Sequence, residues 1–353
     1  MKIVGIGDSL IPKEYIEKGF KNFKEKDFNL ETVQWNLKDH VELQNINLLV
    51  ETNGSEAYEI PEYILEAVKD ADIIITQFCP INKRLIDNCK NLKIVGVLRA
   101  GYENINVEYC NEKDVIVYNT PGRNANAVAD FTVGLLLSEC RNIAKSHRNL
   151  KKGEWVRDYA NADSVPDLSG KTAGIVGFGE IGRKVAKRLE GFDMNIVAYD
   201  PFVKEDTVNV KLVSLEELMS TSDFVCLHTR LTKDTERMIN EKLLSLMKPT
   251  AYLINSARSG LIDEKALYES LKSKKIIGAA IDVFDEEPPG KDYPLVTLEN
   301  ITITPHLAGG TVDAFTNSPK LLAEEMIEIL DGKISRFVIN KKTFHKAITK
   351  INK

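Results

Sequence analysis

The sequence predicts a two-domain α/β protein in which one domain is inserted into the other. Three observations predict it. Short apolar runs alternate with helical segments along almost the whole chain. A glycine-rich strand–turn–helix, Ala173-Gly174-Ile175-Val176-Gly177-Phe178-Gly179-Glu180-Ile181-Gly182, stands near the middle, so about half of the 353 residues precede it. The last apolar run, Phe337 to Asn340, has no evident neighbour in the central block and is expected to return to the first. The length leaves room for two ordinary domains. A net charge of -5 carries no nucleic-acid footprint. No apolar run approaches the ~18–20 residues of a membrane span, so neither nucleic acid nor membrane is an expected partner. Cys79, Cys89, Cys110, Cys140 and Cys226 are scattered without a C-x-x-C pair. That spacing argues against a metal cage or a disulfide framework and fits a reducing compartment. The chain opens directly on the strand-like Lys2-Ile3-Val4, so a cytoplasmic protein is expected.

In the first third, Ile3 to Ile6, Leu48 to Glu51, Ile73 to Thr76, Ile94 to Leu98 and Val115 to Tyr118 read as buried parallel strands. Leu65 to Val68 and Leu85 to Cys89 read as helical. Asn119-Thr120-Pro121-Gly122-Arg123-Asn124 is a turn cluster, and the apolar-periodic stretch Ala125 to Ile143 is expected to be a helix. After Leu168-Ser169-Gly170 comes the glycine-turn strand. Its helix continues through Lys184 to Leu189, with Val185, Ala186 and Leu189 on one side. Further strands are expected at Met194 to Tyr199, Phe224 to His228, Ala251 to Asn255, Ile277 to Asp282 and Ile301 to Thr304. A last helix runs from Val312 to Leu330, before Gly332. The expected boundaries are 1–122 plus 308–340 for the discontinuous first domain and 123–307 for the inserted one. The tail 341–353, with Lys341, Lys342, Lys346, Lys350 and Lys353, is expected to be a solvated basic terminus. A cleft between the domains is the expected ligand site.

Gly177, Gly179 and Gly182 have the G-x-G-x-x-G spacing of a dinucleotide site. One glycine makes the tight turn, the second lets backbone approach a pyrophosphate, and the third lets helix and strand pack closely. The helix N-terminus presents free N–H groups to the phosphates. Asp200 ends the next strand roughly 20 residues on, where a carboxylate accepts the adenosine ribose hydroxyls. No Arg follows in Pro201-Phe202-Val203, so NAD is expected rather than NADP. Val4-Gly5-Ile6-Gly7 lacks the third glycine, Leu10 holding that place.

Three polar side chains lie just beyond the carboxyl ends of expected strands, the edge where open parallel sheets bind ligands. They are Arg258 after Tyr252-Leu253-Ile254-Asn255, Glu287 in Asp282-Val283-Phe284-Asp285-Glu286-Glu287-Pro288, and His306 after Ile303-Thr304-Pro305. Hydride transfer between a nicotinamide and a 2-hydroxy acid needs such a set. His exchanges the hydroxyl proton near neutral pH. The planar Arg fork holds a carboxylate and polarises a carbonyl oxygen. A carboxylate orients the His and stabilises its protonated form.

From Leu92 to Leu330 the chain resembles the D-isomer-specific 2-hydroxyacid dehydrogenases, which include D-3-phosphoglycerate, glycerate/glyoxylate and D-lactate dehydrogenases. The resemblance is carried by Pro121-Gly122-Arg123-Asn124-Ala125-Asn126-Ala127-Val128-Ala129-Asp130, the glycine stretch, Asn255-Ser256-Ala257-Arg258, Asp282 to Pro288, and Thr304-Pro305-His306. It implies a Rossmann-type NAD-binding domain inserted into a flavodoxin-like substrate domain. It makes Arg258, Glu287 and His306 the substrate-binding Arg, supporting Glu and acid/base His. It implies NAD contacts at Glu180, Ile181, Asp200, Thr229, Ala257, Asp282 and the loop after His306. Arg99-Ala100-Gly101-Tyr102 matches the substrate loop, whose backbone N–H groups hold the carboxylate. A homodimer through the cofactor domains is implied, and no regulatory module is expected after Asn340. The chain departs from the pattern at Arg230, where many members have Pro, and at Tyr102 and Glu103, which replace small or apolar residues. Arg99 reads equally as an anion contact or as a salt bridge closing the domain cleft.

The same fold without turnover would make an NAD(H)-sensing binding protein, as in corepressors resembling this family; the intact Arg, Glu and His argue against it. A formate dehydrogenase would carry Gln where Glu287 stands, and phosphite oxidation is left open. Gly7-Asp8-Ser9-Leu10 spells the opening of a GDSL-type esterase, but neither His306 nor His345 has the Asp three residues earlier which that chemistry needs. His228 is expected to pack at a strand end. Trp155 and Tyr159 are expected to pack in the linker, with the lip of the site as the second reading.

Overall fold

A computed structural model describes residues 1–21, 28–205, 207 and 209–351, with side chains through residue 349. The chain divides into two compact units, Met1–Arg123 with Thr311–Lys353, and Asn124–Gly310.

The first unit holds a five-stranded sheet of β1 (Lys2–Gly7), β2 (Asn29–Gln34), β3 (Ile73–Thr76), β4 (Ile94–Val97) and β5 (Ile116–Asn119). All pairings are parallel and the order is β2-β1-β3-β4-β5, the flavodoxin-like order of doubly wound sheets. Alternate residues feed opposite faces. Val4, Ile6, Ile74, Val95, Val97 and Val117 pack into one core, with helices Glu62–Val68 and Lys83–Asn88. Ile3, Ile73, Ile75, Ile94, Ile116 and Tyr118 pack into the other, beneath helix Val312–Leu330, which contributes Leu322, Ala323, Met326 and Ile329.

Three expectations for this unit are corrected and one strand is added. Leu48 to Glu51 lies in helix His40–Asn53, which is N-capped by Asp39 and buries Leu43, Ile46 and Val50 at helical spacing. Edge strand β2 was not foreseen. Phe337 to Asn340 does return to this unit, but as one antiparallel bridge, Tyr118 to Val338, and not as a strand. The basic terminus is a helix, Lys341–Ile351, with Phe344 and Ala347 buried in the second core.

The second unit holds β6 (Thr172–Val176), β7 (Asn195–Tyr199), β8 (Val210–Leu212), β9 (Phe224–Leu227), β10 (Tyr252–Asn255), β11 (Gly278–Ile281) and β12 (Ile301–Ile303). The order is β12-β11-β10-β9-β6-β7-β8, and every pairing is parallel. The order reverses between β6 and β9, the switch point where such sheets bind nucleotides at their carboxyl edge. Ala173, Ile175, Phe224, Cys226 and Ile254 face one core; Val176, Val225, Leu227, Leu253 and Ile281 face the other. The helix expected over Ala125 to Ile143 stops at Cys140 and restarts as Ile143–Lys151, because Asn142 takes φ +56. Side-chain caps at Ser214, Asn240 and Asp263 start the helices Leu215–Thr221, Glu241–Leu246 and Glu264–Lys272.

Candidate active site

The glycine turn joins β6 to helix Glu180–Glu190. Gly177 has φ +94, and a Cβ there would sit 2.5 Å from the Thr229 backbone nitrogen and 2.7 Å from the His228 carbonyl carbon. A Cβ at Gly182 would lie 2.1 Å from the Gly177 carbonyl oxygen, so only glycine lets this helix approach the turn. At Gly179, the residue before the helix, a Cβ would meet nothing within 4 Å, and no side chain caps the helix start. The turn therefore pairs two closed glycines with one open one, at an uncapped helix N-terminus suited to a pyrophosphate.

Asp200 follows β7. Its Oδ2 accepts the Phe178 N–H at 2.9 Å and its Oδ1 accepts the Phe202 N–H at 2.9 Å. The carboxylate is thereby fixed against the glycine loop while half-exposed. Glu180 and Ile181 open the helix, and Ile181 packs against the core. These residues fit a dinucleotide: an open glycine, oriented backbone donors and an anchored carboxylate at the switch point.

Arg258, Glu287 and His306 follow β10, β11 and β12, three adjacent strands. Asn255 braces the first turn. Its Nδ2 donates to the Arg258 carbonyl at 2.9 Å, and its Oδ1 accepts the Ala257 N–H at 3.0 Å. The Arg258 side chain is exposed, with Nη1 donating to the Ala257 carbonyl at 2.7 Å. His306 Nδ1 lies 2.8 Å from Glu287 Oε2, and Glu287 Oε1 accepts the Phe284 N–H at 3.1 Å. A carboxylate can only accept, so Nδ1 carries the hydrogen in this pair and Nε2 remains for proton exchange. The His306 ring is 49% exposed, open to a reactant.

His306 takes φ +54, a left-handed conformation that costs a non-glycine residue about 1 kcal/mol. Asp282 holds that turn. The residue is fully buried. Its Oδ1 accepts the Thr304 hydroxyl at 2.5 Å and the Leu307 N–H at 2.9 Å; its Oδ2 accepts the Ala308 N–H at 2.8 Å. These three partners flank His306 on both sides. The Glu287 loop has its own support. Arg237 Nη2 pairs with Asp285 Oδ2 at 2.5 Å, Glu264 Oε1 accepts the Asp285 N–H at 3.0 Å, and Tyr293 bonds the other Glu264 oxygen. Arg237 and Glu264 lie 48 and 21 residues from Asp285, and no local pattern announces them. Asp282 was legible as a motif residue; its three bonds were not.

His228 follows β9 with both ring nitrogens buried and unpartnered, and burial pulls its pKa down to about 3. It packs as a neutral ring. Trp155, expected to pack, is instead 80% exposed, while Tyr159 donates its hydroxyl to the Val156 carbonyl at 3.2 Å.

Arg99, Ala100, Gly101 and Tyr102 belong to the first unit, in the loop after β4. Arg99 forms salt bridges within its own unit: Nη2 lies 2.7 Å from Glu51 and 2.9 Å from Glu103. In the Gly7-Asp8-Ser9-Leu10 stretch, Ser9 Oγ is 3.0 Å from His40 Nδ1 on an exposed surface. Among the described residues no carboxylate pairs with His40. No cluster of metal-ligating side chains occurs among the described residues, and no helix there is long and apolar enough to cross a membrane.

A sequence model described as "D-isomer specific 2-hydroxyacid dehydrogenase, NAD binding domain" matches residues 133–308. D-3-phosphoglycerate dehydrogenase of Methanocaldococcus jannaschii is 41% identical over 284 residues, which cover 79% of this chain and 53% of that protein. The chain thus spans about half the length of that relative. Glyoxylate reductase of Pyrococcus furiosus is 40% identical over 309 residues, 84% of this chain and 92% of that one. Among solved structures, the TT0316 protein from Thermus thermophilus superposes with a TM-score of 0.71 at 29% identity, covering 96% of this chain and 100% of that one. An NAD-complexed D-isomer specific 2-hydroxyacid dehydrogenase from Lactobacillus delbrueckii ssp. bulgaricus gives 0.77 at 23% identity, covering the same shares, and supports the fold.

Proposed function

The chain belongs to the D-isomer-specific 2-hydroxyacid dehydrogenases, and from that premise we propose that it interconverts a D-2-hydroxy acid and its 2-oxo acid with NAD as cofactor. The observation that carries the proposal is the His306–Glu287 pair, 2.8 Å long, on a turn braced by Asp282 beside the carboxyl edge of a dinucleotide-type sheet.

NAD is held by the turn at Gly177, Gly179 and Gly182, with Glu180, Ile181, Asp200, Thr229, Ala257 and Asp282 as its further contacts. When bound, the cofactor supplies or accepts the hydride. The protein's own groups do the rest. Protonated His306 gives its Nε2 proton to the carbonyl oxygen during reduction and takes it back during oxidation. Glu287 keeps the ring turned and stabilises its charged form through Nδ1. Arg258 pairs with the substrate carboxylate and polarises the oxygen that becomes the hydroxyl. Backbone N–H groups of the loop Arg99-Ala100-Gly101-Tyr102 hold the carboxylate.

The protein is proposed to act in the cytoplasm, where its five buried free cysteines stay reduced. It is proposed to be a homodimer through the second unit. Ile143, Leu150, Trp155, Val156 and Val165, all in one stretch of that unit, are exposed large apolar side chains of the kind a second copy would cover. Sedimentation equilibrium distinguishes dimer from monomer, and Trp155→Asp is expected to shift the balance to monomer.

The catalytic reading is tested by adding small 2-oxo acids to protein with NADH and following loss of reduced-nicotinamide absorbance. Turnover supports the dehydrogenase. Tight NADH binding with no turnover on any acid overturns it in favour of the sensing protein.

A further inference from the structure

A dinucleotide seated on the turn at Gly177, Gly179 and Gly182 brings a doubly charged pyrophosphate to a place that already carries acid. Glu180 stands in the first turn of helix Glu180–Glu190, and the Asp200 carboxylate accepts the Phe178 N–H at 2.9 Å. Free N–H groups at the helix start favour an anion. Like charges gathered at one spot still repel, and a cation beside them offsets that. One guanidinium, Arg183, is stacked on the Phe178 ring at 4.4 Å. That is the residue whose N–H binds Asp200, so this cation belongs to the Asp200 side of the turn.

A second guanidinium comes from the strand on the other side. β9 pairs with β6 and stays beside it past its own end, the His228 N–H donating to the Val176 carbonyl at 2.7 Å. Thr229 then touches the turn: the Cβ that Gly177 lacks would sit 2.5 Å from its backbone nitrogen. Arg230 is the next residue, and its backbone is fixed. The Thr235 hydroxyl donates to the Arg230 carbonyl at 2.6 Å and accepts the Thr232 N–H at 2.8 Å. Leu231 packs against Gly260, where a Cβ would lie 2.9 Å from Leu231 Cδ2. The segment therefore runs along the carboxyl edge from the glycine turn to the turn after β10. The Arg230 side chain is exposed, and among the described residues its guanidinium has no hydrogen-bond or ion-pair partner. Other arginines of this edge are engaged, Arg237 by Asp285 and Arg258 by the Ala257 carbonyl.

Strand order decides which phosphate Arg230 meets. The order is β9-β6-β7. Asp200 follows β7 and Arg230 follows β9, strands about 10 Å apart with the glycine turn between them. A cation on the β9 side faces an anion held over β6. The ribose 2′ position, at Asp200, lies beyond it.

Resting on the dehydrogenase reading above, we propose that Arg230 is a cofactor-binding residue that pairs with the pyrophosphate of NAD(H) across the glycine turn. It adds affinity for the nucleotide and takes no part in the hydride or proton transfers.

Calorimetric titration of the whole chain with NADH and with NADPH, in the absence of any 2-oxo acid, reads affinity without turnover. Arg230→Gln is expected to raise Kd for both nucleotides by about tenfold, and the loss is expected to shrink at high salt because the contact is partly exposed. Arg230→Lys keeps a point charge for the phosphate and is expected to stay within about threefold of wild type. The melting temperature without nucleotide is expected to be unchanged in both variants, since the side chain has no protein partner to lose. An unaltered Kd for NADH in Arg230→Gln overturns the inference and leaves the dehydrogenase reading intact. A loss confined to NADPH overturns it by putting Arg230 at the 2′-phosphate. A loss in Arg230→Lys equal to that in Arg230→Gln overturns the ionic pairing. A wild type that binds neither nucleotide overturns both readings.

Discussion

Asp282→Asn separates positioning from cofactor contact. The carboxylate accepts from Thr304, Leu307 and Ala308, and the residue is fully buried. Asn has the same shape but keeps one acceptor oxygen and turns an NH₂ toward a donor. At least one charge-assisted bond is lost, about 1.5–3 kcal/mol. For a unit of this size that lowers Tm by roughly 3–12 °C. The lost bond also releases a turn whose central residue, His306, sits at φ +54. A displacement near 1 Å at an acid/base group costs up to about a hundredfold in rate, so kcat is expected to fall about ten- to a hundredfold. Steady-state kinetics with NADH and a 2-oxo acid, beside thermal melting, reads both effects. If Asp282 serves mainly as a cofactor contact, KM for NADH rises while kcat stays. If it holds the His306 turn, kcat and Tm fall together. A variant with wild-type kcat and Tm refutes the reasoning.

Other variants test separate parts of the site. Glu287→Gln removes the anion that accepts from His306 Nδ1 and is expected to lower kcat about ten- to a hundredfold with little change in KM; wild-type turnover would remove Glu287 from the mechanism. Asp200→Ala frees the Phe178 N–H and removes the ribose acceptor, so KM for NADH should rise about tenfold or more and the preference for NADH over NADPH should shrink. An unaltered cofactor ratio would contradict that role. His228 titrates near 3 when folded, against an ordinary 6.5. The unfolded chain therefore binds a proton in that window that the folded chain does not, and stability falls as pH drops below about 6.5. By pH 5 the loss is about 2 kcal/mol. His228→Leu should remove it, seen as a smaller difference between urea unfolding at pH 7 and pH 5; an equal difference would show that the ring is not buried neutral.

The second unit was largely legible because its signals are local. Gly177, Gly179 and Gly182 carry their reason in their spacing, and β6, β9, β10 and β11 are short continuous apolar runs of fully buried strands. Arg258, Glu287 and His306 were legible as side chains following successive strands. What joins them was not. Asp282 reaches Thr304, Leu307 and Ala308 across more than twenty residues, and Arg237 reaches Asp285 across 48. Such contacts exist only once parallel strands are side by side. The first unit misled where a short apolar run fits two periods. Leu48, Leu49 and Val50 looked like a strand, yet the residues that face the core are Leu43, Ile46 and Val50, and Asp39 with Glu42 forms the start signal of a helix. Strands β2 and β8 lie at sheet edges, where half-exposed residues weaken the apolar pattern. In the terminal helix Phe344 and Ala347, three residues apart, mark a buried face too short to stand out among the lysines.

The central claim is that His306 moves the substrate proton. Single-turnover oxidation of NADH by a 2-oxo acid, compared between wild type and His306→Ala with NADH affinity measured in parallel, tests it most directly. A loss of about 10²–10⁴ in rate with NADH binding retained is the expected result. Wild-type turnover by His306→Ala would contradict the account.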